Sequence, residues 1–529
     1  MRPVRRATLP VMVAEEIKRD IIHKVLKPGD KLPSEKELSR QLGVGRPTLR
    51  EALRILEGQG WIKFKFGQGA YIMDNSKISQ KTSAYFKKEE ILELIDHEII
   101  QLEQEGKNVT DELKERFKRI KEKGSPEEID DFYNSLENLE QRDDYPYEEP
   151  SEIEEIRKKT YKIKLTFPKI SENELYEKIH GAWLGRCIGC LLGKPVEGWP
   201  KEKIENYLKA TNSYPLSDYF PYEPEKLENE EEYSFHPSAK EATKGNIQYM
   251  ARDDDIDYTI LNLKLVEENG LKFTTEDVAE EWLSHLPYKM VYTAERQAYA
   301  NLVRGLKPPA TATYRNPFRE WIGAQIRADL FGYIVPGSPE LASSLAYKDA
   351  CLSHTKNGIY GEMFIAAAIS AALVSDNLEK VIDAGLSQVP ENSRLAEVVK
   401  NVVSWSKKAS SWEEVWQKVN ERYRNYHFVH TLPNLAFVLI GLIWGKFDFK
   451  KTISIAVMCG LDTDCNGATA GSILGALKGI SEIPKDMAEP LHDRVKSAVF
   501  GYTDVRISEL AKRTFEVARK YRPKMTINP

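Results

Sequence analysis

The sequence has no apolar run long enough to cross a membrane as a helix. Its two longest apolar runs, residues 364–374 and 435–444, fall short of the roughly 20 residues that such a helix needs. The basic start of the chain is not followed by an apolar stretch of signal-peptide length either. We therefore expect both runs to form buried helices, and we expect a cytoplasmic protein with no membrane partner.

Cysteine is also scarce, with five residues in a chain of 529. An odd number of widely spaced cysteines does not indicate a disulfide framework, so reduced thiols are expected. Cys187 and Cys190 have the spacing of half a zinc site, but no second pair of this kind follows them, which argues against zinc binding there. With 41% hydrophobic and 30% charged residues, the composition is typical of a folded globular protein.

The net charge of −5 is distributed unevenly along the chain. Residues 1–74 carry 15 Lys and Arg against 9 Asp and Glu, whereas residues 75–160 carry 15 against 24. A basic start followed by an acidic region predicts a polyanionic partner for the first segment alone.

The basic segment has the hydrophobic pattern of three short helices. Ser34 and Glu37 form a capping box that predicts the second helix over about residues 35–42. A glycine-rich turn at residues 43–45 precedes the third helix, and Pro47 suits the first turn of that helix. The apolar residues of the first helix recur every four positions until Pro28-Gly29, and those of the third form one stripe: Val13, Ile17, Ile21 and Val25, then Leu49, Leu53 and Leu56.

A hairpin with a basic outer face is predicted directly after the third helix. Residues 61–66 alternate apolar and lysine side chains, and a turn at residues 67–69 leads into a second strand over residues 70–73. Three helices followed by a basic hairpin are typical of a winged helix-turn-helix, whose third helix enters the major groove of DNA.

This segment resembles the GntR family of bacterial regulators at residues 28–35, 42–53 and 67–69, which match the family's signature in order. The resemblance implies a homodimer on a double-stranded DNA operator. It also implies a role for Gly67 and Gly69 in bringing the wing to the minor groove, and DNA contacts from Lys36, Arg46, Thr48 and Arg50. Gly45 departs from the signature, because the family usually has Ser or Thr there. The alternative is a winged helix used for protein contacts.

The rest of the chain is predicted to be helical. Residues 75–165 are rich in Lys and Glu but carry apolar stripes at helical spacing, which favours surface helices leading into a large domain over a flexible linker. Few stretches of residues 166–529 alternate with period two, so a mainly α domain is expected. The predicted domains are therefore residues 1–74, 75–165 and 166–529.

Two clusters of carboxylates stand out in the large domain. Asp253, Asp254 and Asp255 come directly before an apolar helical stretch, and Asp462 and Asp464 lie between two apolar segments. Carboxylates in such surroundings are expensive to bury without a cation, and oxygen-rich ligation suits magnesium, manganese or calcium. Each cluster alone could instead be a set of solvated acids at a helix start.

The same residues resemble the ADP-ribosylglycohydrolase family. The family's opening motif is similar to residues 189–197, its Thr-Asp-Asp motif to residues 253–255, and its late Asp-x-Asp-Thr motif to residues 462–465. By this resemblance, two magnesium ions would be held by Asp254, Asp255, Asp462 and Asp464. Asp253 and Cys465 stand where the family usually has threonines; Asp253 can still ligate a hard ion, whereas a thiol is a poor magnesium ligand.

The resemblance also implies further site residues. Glu197 matches an acidic residue near the reaction centre of the family. The substrate loop would include Gly323, Gln325 and Arg327, although Ile322 replaces the usual Asn, and His354 resembles another pocket position. A hydrogen-bonded core histidine is an equal alternative for His354, and a structural ion pair is an alternative for Arg327.

The function implied by the family is hydrolysis of a glycosidic bond at a ribose, in an ADP-ribosyl or related small molecule or in a modified protein. Such a bond breaks through an oxocarbenium-like state, so a site needs anionic surroundings and a positioned water. Glu197, Asp254 and Asp255 are the candidate catalytic carboxylates. The alternative is a transcription factor whose large domain senses a ribosyl ligand without cleaving it, which Ile322 and Cys465 favour. A structural scaffold would leave both carboxylate clusters unexplained.

Overall fold

The computed structural model describes residues 13, 14, 17, 29–58, 62–65, 69–72, 88–227, 235 and 238–525. The chain divides into two compact units, Met1–Gln141 and Arg142–Pro529. This division falls between the predicted boundaries at 74/75 and 165/166. Both units are mainly helical, and no described helix is long and apolar enough to cross a membrane.

The first unit begins with the predicted winged helix. Ser34 caps the second helix of the motif together with Glu37, as predicted, and Leu49, Leu53 and Leu56 of the third helix are buried. Of the first predicted helix, Val13, Ala14 and Ile17 are described, and all three are helical and buried. The elements of this unit are α1 (Glu35–Gln41), α2 (Arg46–Gly58), β1 (Ile62–Lys65), β2 (Gly69–Ile72), α3 (Lys88–Gln104), α4 (Asp111–Lys123) and α5 (Pro126–Leu136).

The wing is an antiparallel hairpin, because Ile62 pairs with Ile72 and Lys65 with Gly69. Together with α1 and α2, this hairpin confirms the fold prediction for the winged helix.

Two helices that follow the winged helix, α4 and α5, begin at hydroxyl caps. The caps are Thr110 and Ser125, whose side chains each accept a backbone N–H of the first turn.

The second unit is a large helical domain, as predicted. The apolar run 435–444 lies within α19, and the run 364–374 covers the second half of α15 and the two residues after it. Its elements are α6 (Ile153–Lys158), α7 (Glu172–Gly193), α8 (Lys201–Ala210), α9 (Asp254–Asn269), α10 (Thr275–His285), α11 (Thr293–Val303), α12 (Ala310–Thr313), α13 (Asp329–Tyr333), α14 (Pro339–Ala350), α15 (Lys356–Ala372), α16 (Leu378–Leu386), α17 (Arg394–Ser406), α18 (Trp412–Tyr423), α19 (Thr431–Gly445), α20 (Phe449–Met458), α21 (Thr463–Lys478), α22 (Lys485–Ala488), β3 (Arg494–Lys496), β4 (Asp504–Arg506) and α23 (Ile507–Met525).

Helices α7 and α21 lie backbone against backbone in the core of this domain. A Cβ atom at Gly189 would lie 1.9 Å from the carbonyl oxygen of Gly467, and one at Gly467 would lie 2.2 Å from that of Gly189. The same relation holds between Gly185 and Gly471 one turn away. Because only glycine permits this approach, the spacing of four along both helices fixes their antiparallel alignment.

The chain that enters the second unit is tied to it by a buried ion pair. Glu149 accepts hydrogen bonds from the guanidinium of Arg394, which also contacts Glu320 at 2.8 Å. All three side chains are almost fully buried. Residues that follow the division at 141/142 therefore belong structurally to the large domain.

Candidate metal centre

The close packing of α7 and α21 places the end of one helix beside the start of the other. A Cβ atom at Gly193, the last residue of α7, would lie 2.1 Å from the carbonyl oxygen of Thr463, the first residue of α21. The Thr463 hydroxyl donates to the carbonyl oxygen of Gly193 at 2.8 Å. The carboxylates at the start of α21 consequently lie next to the chain that leaves α7.

Two short connections then bring Glu197 to the same place. Gly198 donates its N–H to the carbonyl of Leu461 at 2.8 Å, and Leu461 donates its N–H to the carbonyl of Trp199 at 3.0 Å. Gly460 has a φ of +84°, and a Cβ atom there would lie 2.8 Å from the carbonyl oxygen of Trp199. This pairing holds Glu197 against Asp462.

The third contribution comes from the start of α9. Asp253 caps this helix and accepts the N–H of Asp255 at 3.1 Å. Asp253 and Asp255 are buried, with 2% and 1% of their surfaces exposed. Side chains of this kind can ligate a cation only if their oxygens converge, and the three segments satisfy this condition.

Three overlapping groups of potential ligands result, each with its ligand atoms within 4.8 Å of one another. We call their members together the carboxylate centre. The groups are Glu197, Asp462 and Asp464; Asp255, Asp464 and Cys465; and Cys190, Asp253 and Asp255. Five of the six predicted metal ligands are thus brought together. Asp254, the sixth, belongs to none of these groups.

Two buried cations neutralise part of this charge. Lys194 contacts Asp253 at 2.5 Å, and Arg186 lies 3.4 Å from the carboxylate of Asp255 while donating to its backbone carbonyl at 2.8 Å. Arg186 also pairs with Asp329 at 2.9 Å. Among the described residues, no salt bridge of this kind reaches Glu197, Asp462 or Asp464.

The uncompensated charge changes the proton affinity of the centre. Burial and the charge of Asp464 raise the pKa of Asp462, and burial and the charge of Asp253 raise the pKa of Asp464. The pKa of Glu197 lies well above its usual value, first because of Asp464 and then because of burial. Burial and Asp253 raise the pKa of Asp254 to about 8. These carboxylates therefore repel one another unless a cation or protons intervene.

Asp253 behaves differently from its neighbours. Burial alone raises the pKa of Asp253, but the charge of Lys194 and its hydrogen bond outweigh burial, so this pKa lies below its usual value. The carboxylate that replaces the usual threonine of the family is therefore already balanced by a lysine. Lys194 and Arg186 were not singled out from the sequence, and Lys194 lies directly after the glycine that ends α7.

The donor set fits a divalent cation. Asp464 is shared by two of the groups, and its Oδ1 is buried and has no hydrogen-bond partner in the described structure. A buried carboxylate oxygen left without a donor is costly, and a cation would satisfy it. Asn434, which was also not singled out from the sequence, holds the start of α21 in place. Its Oδ1 accepts hydrogen bonds from the N–H of Asp462 and from the side-chain amide of Asn466.

The predicted substrate loop lies in a buried network. Arg327 is fully buried and pairs with Glu295 at 2.6 Å and with Asp349 at 2.5 Å. A Cβ atom at Gly323 would lie 2.0 Å from Oε1 of Glu295, so glycine is needed there for this ion pair. This network of buried ion pairs favours a structural role for Arg327, and substrate binding by it stays a prediction.

The other two predicted substrate residues are also buried. Gln325 accepts the hydroxyl of Thr431 at 2.9 Å, while its Nε2 has no partner in the described structure. His354 contacts the hydroxyl of Ser353 at 2.8 Å through Nδ1, and burial lowers its pKa well below the usual value. His354 therefore stays neutral, and its role in substrate binding remains a prediction.

The predicted DNA-binding side chains lie on the outside of the winged helix. Lys36, Arg46 and Arg50 are exposed, and Thr48 is half-buried. Arg50 also contacts Glu35 at 2.9 Å, which ties α2 to the start of α1. Gly69 begins the second wing strand, and Gly67 lies outside the described residues.

The second unit is a helical domain built around a buried, oxygen-rich centre at helix ends, and the comparisons with known proteins give its family. Residues 171–524 match the family model described as ADP-ribosylglycohydrolase, and residues 9–72 match that of the bacterial regulatory proteins of the gntR family. Because the first match covers more than half of the chain, the chain belongs to the ADP-ribosylglycohydrolase family.

Curated relatives match a short part of the chain. It is 38% identical over 74 residues to the HTH-type transcriptional regulator Mce2R of Mycobacterium tuberculosis, covering 14% of this chain and 31% of the relative. It is 41% identical over 71 residues to the HTH-type transcriptional repressor NanR of Citrobacter rodentium, covering 13% and 27%. It is 38% identical over 85 residues to the Uxu operon transcriptional regulator of Escherichia coli K12, covering 16% and 33%. The chain thus spans a third or less of the length of these relatives.

A solved structure titled "ADP-ribosylglycohydrolase-related protein complex" aligns with 66% of this chain and 99% of its own, at 20% identity and a TM-score of 0.41.

Proposed function

We propose that this protein is a DNA-binding transcriptional regulator whose large domain is a magnesium-dependent glycohydrolase acting on a ribosyl compound. The observation that carries the catalytic part is the convergence of Glu197, Asp462 and Asp464 into one group of ligand atoms. Residues far apart in the sequence meet there at the cost of mutual repulsion, which a purely structural role does not require.

The reaction is hydrolysis of the bond between the anomeric carbon of ribose and its leaving group. When bound, magnesium supplies charge that holds ribose hydroxyls and lowers the pKa of a water molecule. Glu197, Asp462 and Asp464 would hold such an ion, and Asp255 together with Asp464 would hold a second cation. The negative charge of these residues also favours the cationic character that the sugar acquires as the bond breaks.

Glu197 is the best-placed proton acceptor of the centre. It is the one member of its group that keeps part of its surface exposed, so water and substrate can reach it, and a bound cation would offset the charge of Asp464 that raises its pKa, which would leave the carboxylate able to accept a proton. It would take a proton from the attacking water as the water oxygen bonds to the anomeric carbon, while the glycosidic bond breaks and the leaving group departs with the bonding electron pair and takes up a proton from solvent. Asp255 is held by Arg186 and acts as a fixed ligand rather than as the base.

The test uses the full chain, magnesium and a panel of ADP-ribosylated and ribosyl substrates, with release of the free ribosyl product as the readout. We expect turnover in the wild type and strong loss in Glu197→Gln. Glu202→Gln is the matched control, because Glu202 lies exposed on the neighbouring α8 and belongs to none of the ligand groups. Inertness of the wild type across the whole panel would refute catalysis.

The second candidate is a sensor that binds a ribosyl ligand without cleaving it. The ion pair between Lys194 and Asp253 favours it, because a carboxylate of the metal motif is already neutralised by the protein. Its signature is release of DNA on addition of the ribosyl ligand with no product formed. DNA release that requires turnover supports the hydrolase instead.

The regulatory half of the proposal rests on the exposed basic residues of α1 and α2. Arg46 and Arg50 lie one helical turn apart on the helix that the motif places in the major groove, and guanidinium groups suit both guanine edges and phosphates. Selection of bound sequences from a random pool of double-stranded DNA tests this, and enrichment of a palindrome would support a dimer. A pool that shows no enrichment would contradict sequence-specific binding.

A further inference from the structure

The carboxylate centre contains two thiols, which are poor ligands for magnesium. Sγ of Cys465 lies in one group with Asp255 and Asp464, and Sγ of Cys190 lies in another with Asp253 and Asp255. Both cysteines are buried, and all five cysteines of the chain are free. The two thiols therefore flank the same carboxylate, Asp255.

The two thiols differ in what surrounds them. The group of Cys190 includes Asp253, whose charge is taken by Lys194 at 2.5 Å, so a cation there would compete with a buried ammonium group. The group of Cys465 includes Asp464, whose Oδ1 has no hydrogen-bond partner in the described structure and is buried. A residue with an unsatisfied carboxylate oxygen thus belongs to the group of Cys465.

The thiol of Cys465 is already directed at a ligand oxygen. It donates to Oδ2 of Asp255 at 3.2 Å, so the sulfur and two carboxylates surround one small space. Thiolates prefer zinc and similar borderline-soft cations, whereas magnesium prefers oxygen alone. The neighbouring group of Glu197, Asp462 and Asp464 contains only oxygen ligands.

We propose that Asp255, Asp464 and Cys465 form a thiolate-containing site that selects zinc over magnesium, next to the all-oxygen site of Glu197 and Asp462. When zinc binds, the S–H bond of Cys465 breaks, the sulfur becomes a metal ligand, and the proton passes to solvent. The centre would then be mixed, with one cation of each kind sharing Asp464. This inference rests on the proposed function only in taking the carboxylate centre as a cation site.

Cobalt is the probe for the thiolate ligand, because a sulfur-bound cobalt ion absorbs in the near ultraviolet through charge transfer. The full chain is treated with a chelator and titrated with Co²⁺. We expect a charge-transfer band that saturates at one equivalent and that Zn²⁺ abolishes but excess Mg²⁺ does not. Cys465→Thr, which restores the residue usual in the family, should lose this band and lower the preference for Zn²⁺ over Mg²⁺ about 10- to 100-fold.

Cys190→Ser is the matched control, since it removes the other buried thiol of the centre and should keep the band. Loss of the band in Cys190→Ser with retention in Cys465→Thr would overturn the assignment of the ligand. Absence of the band in the wild type would overturn the site altogether. Turnover with Mg²⁺ could still be measured in that case, so the glycohydrolase proposal would stand or fall separately.

A measurement on the wild type alone guards against a variant that does not fold. X-ray absorption at the zinc edge of the full chain loaded with one equivalent of Zn²⁺ should show a sulfur shell at about 2.3 Å. A spectrum with only oxygen or nitrogen neighbours at about 2.0–2.2 Å would refute thiolate ligation.

Discussion

The winged helix and the carboxylate centre use charge in opposite ways. In the described part of the winged helix, the candidate DNA-binding side chains Lys36, Arg46 and Arg50 are exposed and come from the neighbouring helices α1 and α2. In the large domain, the candidate ligands are mostly buried, come from three distant segments and repel one another. The first arrangement is ready for a polyanion at little structural cost, whereas the second is costly until a cation arrives.

The largest expected effect of a single substitution is on the centre. Asp464→Asn removes the carboxylate shared by two ligand groups, so hydrolysis should fall on the order of 10³-fold with magnesium present. Because the substitution also relieves repulsion with Asp462, the metal-free variant should melt at a higher temperature than the metal-free wild type. Product release and thermal unfolding in chelator measure the two effects.

Opposite signs for activity and stability are the distinctive part of this prediction. A variant that lost both would show that Asp464 supports the fold rather than a cation. Glu202→Gln, exposed on α8, should change neither quantity.

The glycines of the two regions sharpen the comparison in terms of stability. Gly189→Ala places a Cβ atom 1.9 Å from a backbone oxygen of α21 and should destabilise the large domain by about 3 kcal/mol. Gly43→Ala, at the turn between α1 and α2, meets no atom within 4 Å but has a φ of +66°, so it should cost only about 1 kcal/mol. Urea unfolding of both variants measures the difference, and equal costs would show that α7 and α21 can separate without penalty.

The two regions also differ in how far the sequence predicts them. The winged helix could be predicted because its signals are local: the capping box of Ser34 and Glu37, the stripe of α2 and the alternation of the wing. Asp253 and Asp464 could be singled out because a carboxylate beside an apolar segment is unusual. The residues that balance the charge of the aspartates could not be predicted in the same way. Nothing in the local sequence distinguishes Lys194 from a surface lysine or Arg186 from any other helical arginine.

The same reasoning explains the substrate loop. The sequence motif around Arg327 indicates an anion-binding arginine, but the partners that surround it come from α11, α14 and α15. A set of long-range contacts decides whether such a guanidinium is free, and pattern alone does not contain them. The glycines of α7, by contrast, recur every four residues, as small residues do in α21. This local pattern could have indicated that the two helices pack closely.

The dependence of stability on pH is a smaller effect that separates the two regions. In the folded state, the pKa of Asp254 is raised to about 8, and the pKa values of its neighbours Asp255, Asp462, Asp464 and Glu197 are also raised. These carboxylates therefore keep their protons up to a higher pH in the folded state than in the unfolded state. Without metal, the folded state therefore binds more protons between about pH 4 and 8, and stability falls as pH rises through this window. Each such carboxylate contributes at most about 1.4 kcal/mol per pH unit.

Thermal unfolding of the full chain in chelator at several pH values between 5 and 8 measures this slope. Saturating Mg²⁺ or Zn²⁺ should flatten or reverse it, because the cation replaces the protons. Asp253 does not contribute in this window, since Lys194 lowers its pKa and its effect is confined to more acidic solutions. A flat profile in chelator would indicate that the carboxylates are already compensated.

The smallest expected effect lies in the winged helix. Arg46→Ala removes one exposed guanidinium from α2, so affinity for the selected DNA should fall about tenfold, or about 1.4 kcal/mol. Arg119→Ala, an exposed arginine of α4 outside the winged helix, is the control and should leave affinity unchanged. Fluorescence anisotropy over a range of salt concentrations measures both the affinity and its salt dependence, because loss of a phosphate contact also lowers the salt dependence by about one unit of slope.

Hydrolysis by Arg46→Ala in the absence of DNA should equal that of the wild type, since the substitution lies in the other unit and alters no side chain of the carboxylate centre. A change in turnover without DNA would show that the two regions are energetically coupled, so the winged helix and the carboxylate centre would not function independently.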